Sequence, residues 1–499
     1  MLLTKYNLQE LVSLDVELPQ IESFDLPEKV IQFGTGMLLR GLPDFFIDKA
    51  NKKNMFNGRV LVVKSTEGTG LDQFEQQDDL YTVCTKGIEH GVIVEKYTIN
   101  NCISRVLSAK GAWEKVLEAA HQPELQIVVS NTTEAGIVPD YCDVSAMPPS
   151  TFPGKLLALL YRRYTIFQGD GRYGMVILPT ELITDNGDKL KQIILDLAEE
   201  NGLDAAFKNW LENANYFCNT LVDRIVVGMS PATASNNLGS ALPYEDKLMI
   251  MTEPFRLWAI ETDSERVKDI LSFAPADHGV ILAPSIEKFK QLKLRILNGS
   301  HTLSCALALL NGFQTVGEAM ENEGFSSYVS GLMREIGAAI LDNEISEDDV
   351  SSFSSHVLER FKNPFLKHQW SSIALNYTAK IKMRAVGLLS AWYEKNQGAP
   401  VYLALGIAVY LKLMQTERRN NSYFTTLGET SFELKDTYAS VLYEYWEDPE
   451  VIVQRALQDA SLWGEDLTQY PGFHDCVERF LEIVDKQGAL VTNFKEYGI

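Results

Sequence analysis

No two of the six cysteines, at positions 84, 102, 142, 218, 305 and 476, stand in a CxxC pair. In a chain of 499 residues this scarcity reads as the reduced thiols of a cytoplasmic protein, and it offers no zinc-ligand spacing. Positive charge is scarce as well. Lys and Arg total 45 against 67 Asp and Glu, a net charge of −22. Such a balance argues against a general affinity for nucleic acid or for an anionic membrane, although a local basic pocket can still take a small anionic substrate. There is no apolar run of about 18 residues, so no membrane span is expected. The first stretch, MLLTKYNLQELVSLDVELPQ, has acids among its apolar residues, and no signal peptide is expected from it. Internal repeats, low-complexity tracts and long Pro/Gly/Ser linkers are all missing.

What is present is the composition of a globular chain, 45% hydrophobic and 22% charged, long enough for two or three domains. Lys29-Val30-Ile31-Gln32-Phe33 reads as a buried strand. It runs straight into Gly34-Thr35-Gly36, and a helical pattern follows from about Leu38 to Lys52. Strand, glycine turn and helix in that order open a dinucleotide-binding unit. The first glycine permits the tight turn, the second lets backbone approach a pyrophosphate, and free N–H groups at the helix start hold that anion. The third glycine of the usual pattern is absent, because Leu39 stands there.

A second strand is expected over Arg59–Lys64. Its end, Lys64-Ser65-Thr66-Glu67, carries both a lysine and a late acid, so the strand does not decide NAD against NADP. Tyr81–Cys84 and Val92–Val94 suggest a hairpin insertion. Leu125–Ser130 is a further buried strand, followed by Asn131-Thr132-Thr133-Glu134 where open α/β sheets place ligands. Asp223 and Arg224 interrupt an apolar segment, which implies that they are paired or face a site. From about residue 287 the strand patterns give way to helical periodicity almost to the end, over 303–312, 327–341, 346–360, 366–395 and 400–416.

Lys293 to Asn311, KLRILNGSHTLSCALALLN, holds a lysine, an asparagine and a histidine before an apolar run. On one helix, at roughly 100° per residue, Lys293, Asn298 and His301 fall at about 0°, 140° and 80°. All three can then face one cleft. A lysine whose pKa falls on burial from about 10.4 can give and take a proton. Asn and His can hold a carbonyl oxygen while it gains charge. The same residue types also describe a solvated lysine, a helix cap and a core histidine.

Taken together, several stretches resemble the mannitol dehydrogenase family, the polyol-specific long-chain dehydrogenases. They are Phe33-Gly34-Thr35-Gly36 with Arg40, Thr133-Glu134, Val222-Asp223-Arg224-Ile225, Glu253-Pro254-Phe255 with Trp258, Lys293 with Asn298 and His301, and Arg360-Phe361 with Asn363-Pro364. Within that family the chain is most similar to the branch that reduces D-tagaturonate to D-altronate in galacturonate breakdown. Thr180-Glu181-Leu182-Ile183 stands where mannitol and fructuronate members carry Cys-Asp-Asn-Leu, so Leu182 replaces an asparagine that contacts substrate there.

The resemblance implies an α/β Rossmann-type NAD-binding domain with insertions over 1–286 and a mostly α-helical substrate and catalytic domain over 287–499. It implies NAD as cofactor, no metal, and a reversible hydride transfer with Lys293 as general acid and base and Asn298 and His301 on the reacting oxygen. Ile31, Gln32, Phe33, Gly34, Thr35, Gly36, Met37, Leu38, Leu39, Arg40, Glu67, Asn131, Thr132 and Thr133 are the expected cofactor residues. Asp223 is expected on substrate hydroxyls by family analogy. Arg360, Lys367 and His368 are candidates for a substrate carboxylate, which arginine can grip bidentately. The alternatives are a fructuronate reductase, a mannitol 2-dehydrogenase and, outside enzymes, a nucleotide-binding regulator. The expected partner is a small sugar acid, with no nucleic acid and no membrane. The oligomeric state stays open, a monomer included.

Overall fold

The computed structural model describes residues 1–12, 15–64, 71–132, 136–229, 242–428 and 430–487. The chain divides into two compact units, Met1–Lys86 with Ile93–Ile286, and Gly87–Val92 with Glu287–Ile499.

The first unit is built on a six-stranded parallel sheet. Glu28–Phe33 lies at its centre between Arg59–Lys64 and Ile127–Ser130. Ile103–Ser108 extends one side, and Val176–Pro179 and Tyr216–Phe217 extend the other. Numbered along the chain, the spatial order is 3-2-1-4-5-6, that of doubly wound dinucleotide-binding sheets. Continuous apolar runs form these strands because both faces are covered. Ile31, Phe33, Leu61 and Val63 face Trp113, Leu156 and Leu157, while Val30, Val60 and Val62 face Phe46 and Ile47. Each such side chain contributes roughly 1.5–3 kcal/mol on burial.

Two local expectations change, and one strand is added. The single helix from Leu38 to Lys52 breaks at Leu42 (φ −132°, ψ −77°) into Met37–Gly41 and Pro43–Lys52. Pro43 causes the break, because the residue before a proline avoids helical backbone and proline gives no N–H. The hairpin grows to Tyr81–Glu89 and Val92–Asn100. It lies in a five-stranded sheet with Val16–Glu17 at one edge and Ile250–Thr252 and Val226–Gly228 at the other. Ile103–Ser108 was not legible as a strand, because Ser104 and Arg105 disguise an edge position.

The second unit is mostly helical. Its centre is the apolar helix Val401–Leu413, which packs against Ser300–Leu310 and Phe473–Gln487. Gly406 lets two helices meet closely, since a Cβ there would stand 3.0 Å from Leu303 Cδ2 and 3.1 Å from its carbonyl oxygen. The expected helical stretch 366–395 is interrupted. Asn376 (φ +49°) separates Trp370–Ile373 from Tyr377–Ile381, and a π turn over Lys382–Val386 precedes Gly387–Lys395. A small antiparallel sheet of Glu417–Arg419, Ser422–Leu427 and Thr430–Leu434 accompanies the helices. Among the described residues no helix is long and apolar enough to cross a membrane.

Candidate active site

The central strand of the first unit delivers Gly34 at its carboxyl end, beside the point where the strand order reverses. Gly34 has φ +131°, and a Cβ there would lie 2.9 Å from Leu39 Cδ1 and 3.2 Å from the Asn131 carbonyl oxygen. Only glycine satisfies both the dihedral and that approach. Its N–H donates to Val63 O at 3.0 Å, and Asn131 N–H donates to Phe33 O at 3.2 Å, so the turn is tied to both neighbouring strands. Gly36 differs. A Cβ added there would meet nothing within 4 Å. The fold itself does not need glycine at this position, and the open space beside the backbone fits the approach of a dinucleotide.

The side chains around this turn mostly serve the fold. Ile31 and Phe33 belong to one apolar core and Leu39 to the other. Gln32 Nε2 donates to Gly34 O and to Asp44 Oδ2, each at 3.3 Å. Burial pushes the Asp44 carboxyl up to about 7, against the weaker pull of Gln32 and Arg40. Arg40 is buried, donates to the Leu248 carbonyl, and lies 5.3 Å from the Tyr81 ring centroid and 5.8 Å from that of Phe74. Its Nε is buried with no hydrogen-bond partner among the described residues. The turn residues Thr35, Met37 and Leu38 keep some exposure, and Gly36 is exposed.

At the end of the Ile127–Ser130 strand a buried carboxylate organises the loop. Glu181 accepts from Ser130 Oγ at 3.1 Å, Thr132 N–H at 2.8 Å and Thr132 Oγ1 at 3.0 Å. Burial raises its pKa despite these bonds. Asn131 Nδ2 donates to Thr180 O and Oγ1 at 3.1 and 3.0 Å. From the sequence Glu181 entered only as part of the Thr180–Ile183 stretch and was given no role, although an acid two residues after a buried strand was the available signal. Leu182 beside it is exposed. Glu67 and Thr133, also expected at the cofactor, lie outside the described residues.

Asp223 ends the Thr220–Asp223 strand and is buried. Arg224 holds the fold together. It donates from Nε to Glu253 O at 3.1 Å and from Nη1 to Gly41 O at 2.6 Å, and lies 4.3 Å from the Phe45 ring centroid. Glu253 in turn accepts from Ile225 N–H at 2.6 Å.

In the second unit the Lys293 segment is not an α-helix. Leu292–Gly299 is a π turn that passes into the α-helix Ser300–Leu310. A π turn bonds residue i to residue i+5, so residues five apart come close to one face instead of standing about 140° apart. Lys293 and Asn298 are five apart. Lys293, Asn298 and His301 are all half-buried.

His301 is held by rings. It stacks on Phe361 with centroids 3.9 Å apart and planes 8° from parallel, and meets His368 and Trp370 edge-on at 5.2 and 6.0 Å. Its Nε2 is buried and has no partner among the described residues. Burial, and then His368, Arg360 and Arg384, hold its pKa well below the ordinary imidazole value. Burial therefore favours the uncharged ring. His368 is likewise depressed, by burial and by Arg360 and Lys380. Arg360 is buried, whereas Lys367 is exposed. Lys380 and Arg384 were not anticipated. Three basic residues at alternate positions, Lys380, Lys382 and Arg384, were the visible signal, because like charges four apart repel on a helix.

Comparison with known proteins follows this division. The mannitol dehydrogenase Rossmann domain model matches residues 28–270, and the mannitol dehydrogenase C-terminal domain model matches residues 285–485. The chain is 36% identical over 484 residues to the altronate oxidoreductase of Halalkalibacterium halodurans, covering 94% of this chain and 93% of that one. It is 36% identical over 469 residues to that of Bacillus subtilis, covering 93% and 94%. A substrate-free D-sorbitol dehydrogenase structure superposes with a TM-score of 0.75 at 19% identity, covering 98% and 99% of the two chains. The Pseudomonas fluorescens mannitol 2-dehydrogenase ternary complex with NAD and D-mannitol does so with 0.68 at 21%, covering 99% of each. Both halves match that family's domain models and full-length relatives share a third of the residues: the chain belongs to the mannitol dehydrogenase family, and is an oxidoreductase built on a Rossmann-type domain and a mostly helical one.

Proposed function

We propose that this protein is an NAD-dependent reductase of a keto sugar acid, converting D-tagaturonate to D-altronate reversibly. The observation that carries the reading is full-length similarity to altronate oxidoreductases of several organisms, at 34–36% identity over at least 93% of this chain. The open space at Gly36 and the carbonyls tied around Gly34 support a dinucleotide at that turn. Backbone of Gly34, Thr35, Gly36 and Met37 would hold the pyrophosphate, with Asn131 and Thr132 beside it. NADH, when bound, supplies the hydride that adds to the substrate ketone.

Lys293 as ammonium gives its proton to the developing alkoxide and takes it back in the oxidation. Asn298 donates to the same oxygen. Neutral His301 donates a second hydrogen bond from Nε2 without competing for the proton, and the rings of Phe361, His368 and Trp370 fix its plane. Asp223 of the first unit is retained as a contact to substrate hydroxyls. Lys367 is assigned no role.

NADH oxidation is the test, with tagaturonate, fructuronate and fructose compared side by side in EDTA. Tagaturonate is expected to be preferred clearly. Equal or better turnover of fructuronate or fructose would sink the substrate assignment and leave the family in place. Lys293→Ala should lose at least about 100-fold in turnover while keeping NADH binding, as removal of a general acid does. An active Lys293→Ala enzyme would contradict the mechanism.

A further inference from the structure

The groups acting electrostatically on His301 are His368, Arg360 and Arg384, and those acting on His368 are Arg360 and Lys380. Each of these groups is basic. Like charges gathered in a half-buried place repel, and an anion entering from solution relieves that repulsion. Arg384 is the member whose setting is most suggestive. It belongs to the π turn Lys382–Val386, which packs beside the π turn of Lys293. Its backbone carbonyl accepts from Arg295 Nη1 at 3.0 Å, tying one turn to the other. Its side chain reaches the helix of His301, where Nη1 donates to Thr302 Oγ1 at 2.9 Å, and its charge acts on His301. Nε is buried without a hydrogen-bond partner among the described residues. A guanidinium has five N–H donors in a planar fork, so a carboxylate can take the Nε edge while Thr302 keeps Nη1.

We propose that Arg384 grips the substrate carboxylate and sets the preference for sugar acids over uncharged ketoses. This rests on the reading of the protein as a sugar-acid reductase. It adds the residue that makes the acid recognisable and gives the second π turn a purpose, since π turns cluster at functional sites.

The experiment compares the keto sugar acid with its uncharged methyl ester in the wild-type, Arg384→Met and Arg384→Lys enzymes. Wild type is expected to favour the acid by about 100-fold or more in kcat/KM, the range of a charged hydrogen-bonded contact. Arg384→Met should raise KM for the acid by about that factor, change kcat much less, leave KM for NADH within about twofold, and reduce the acid-to-ester preference to a few-fold. Arg384→Lys should fall between, keeping charge without the fork. A wild-type enzyme that turns over no sugar acid overturns the parent reading. Turnover by wild type together with an unchanged acid-to-ester preference in Arg384→Met overturns this inference alone. So does a purely structural result, in which kcat and Tm fall together while KM for the acid stays in place. If Arg384→Met does not fold, Arg384→Lys decides by the same preference ratio, and wild-type selectivity in it refutes the proposal.

Discussion

At the scale of single residues, neighbouring glycines do different work. Gly34 is demanded by its own backbone, because φ +131° and the Asn131 carbonyl leave no room for a side chain. Gly36 is demanded only if something else occupies the space beside it. Gly36→Val is therefore expected to keep the wild-type Tm without cofactor and to weaken NADH binding by about tenfold or more, read by fluorescence titration. A Tm loss equal to that of Gly34→Val would mean that the turn, and not a ligand, needs the glycine. The strand–turn–helix signal was legible here because it is local. The fate of Arg40 was not, since its partners Leu248, Tyr81 and Phe74 lie far along the chain.

At the scale of elements, the apolar helix Val401–Leu413 begins without a capping side chain of its own. Glu335 supplies one from the helix Glu323–Ile340, accepting from Tyr402 N–H at 3.1 Å and Leu403 N–H at 2.7 Å. Burial nevertheless pushes its carboxyl up to about 7. The raised value means that the folded state holds a proton that the unfolded state has released. Stability is then fullest below the unfolded value of about 4.3, and falls as pH rises through about 7. Glu335→Gln keeps an acceptor and abolishes this slope, so its Tm relative to wild type should improve steadily from pH 4 to pH 8. Glu335→Ala leaves two buried N–H groups bare and should cost about 1–3 kcal/mol in denaturant unfolding. A flat pH difference between wild type and Glu335→Gln would show that the carboxyl stays charged throughout. Sequence periodicity located the helices themselves, but it assumes 3.6 residues per turn and cannot see a π turn.

At the scale of the whole molecule, a net charge of −22 repels an anionic substrate that a few cations must hold. The two effects have different ranges. The Debye length falls from about 30 Å at 0.01 M to about 8 Å at 0.15 M salt, which screens distant acids but hardly touches a cation at hydrogen-bond distance. With NADH saturating, KM for the sugar acid is expected to fall a few-fold over that range, while KM for its uncharged ester stays flat. A KM for the acid that climbs with salt from the outset would show that local attraction outweighs the global field.

Local order in the chain was enough to determine the buried strands, the glycine turn, the change to helical texture near residue 287 and the Lys293, Asn298, His301 triplet, because each is a pattern of neighbours or of short periods. Tertiary structure alone decided the rest. It set the π turn over Leu292–Gly299, the rings around His301, the Glu181 carboxylate at the strand end and the approach of Arg384 to Thr302. A π turn pairs residues less favourably than an α turn and survives here beside a second one, cross-tied through Arg295 to the carbonyls of Met383 and Arg384. Contacts between residues some ninety positions apart leave no period in the sequence, so only the folded chain displays them.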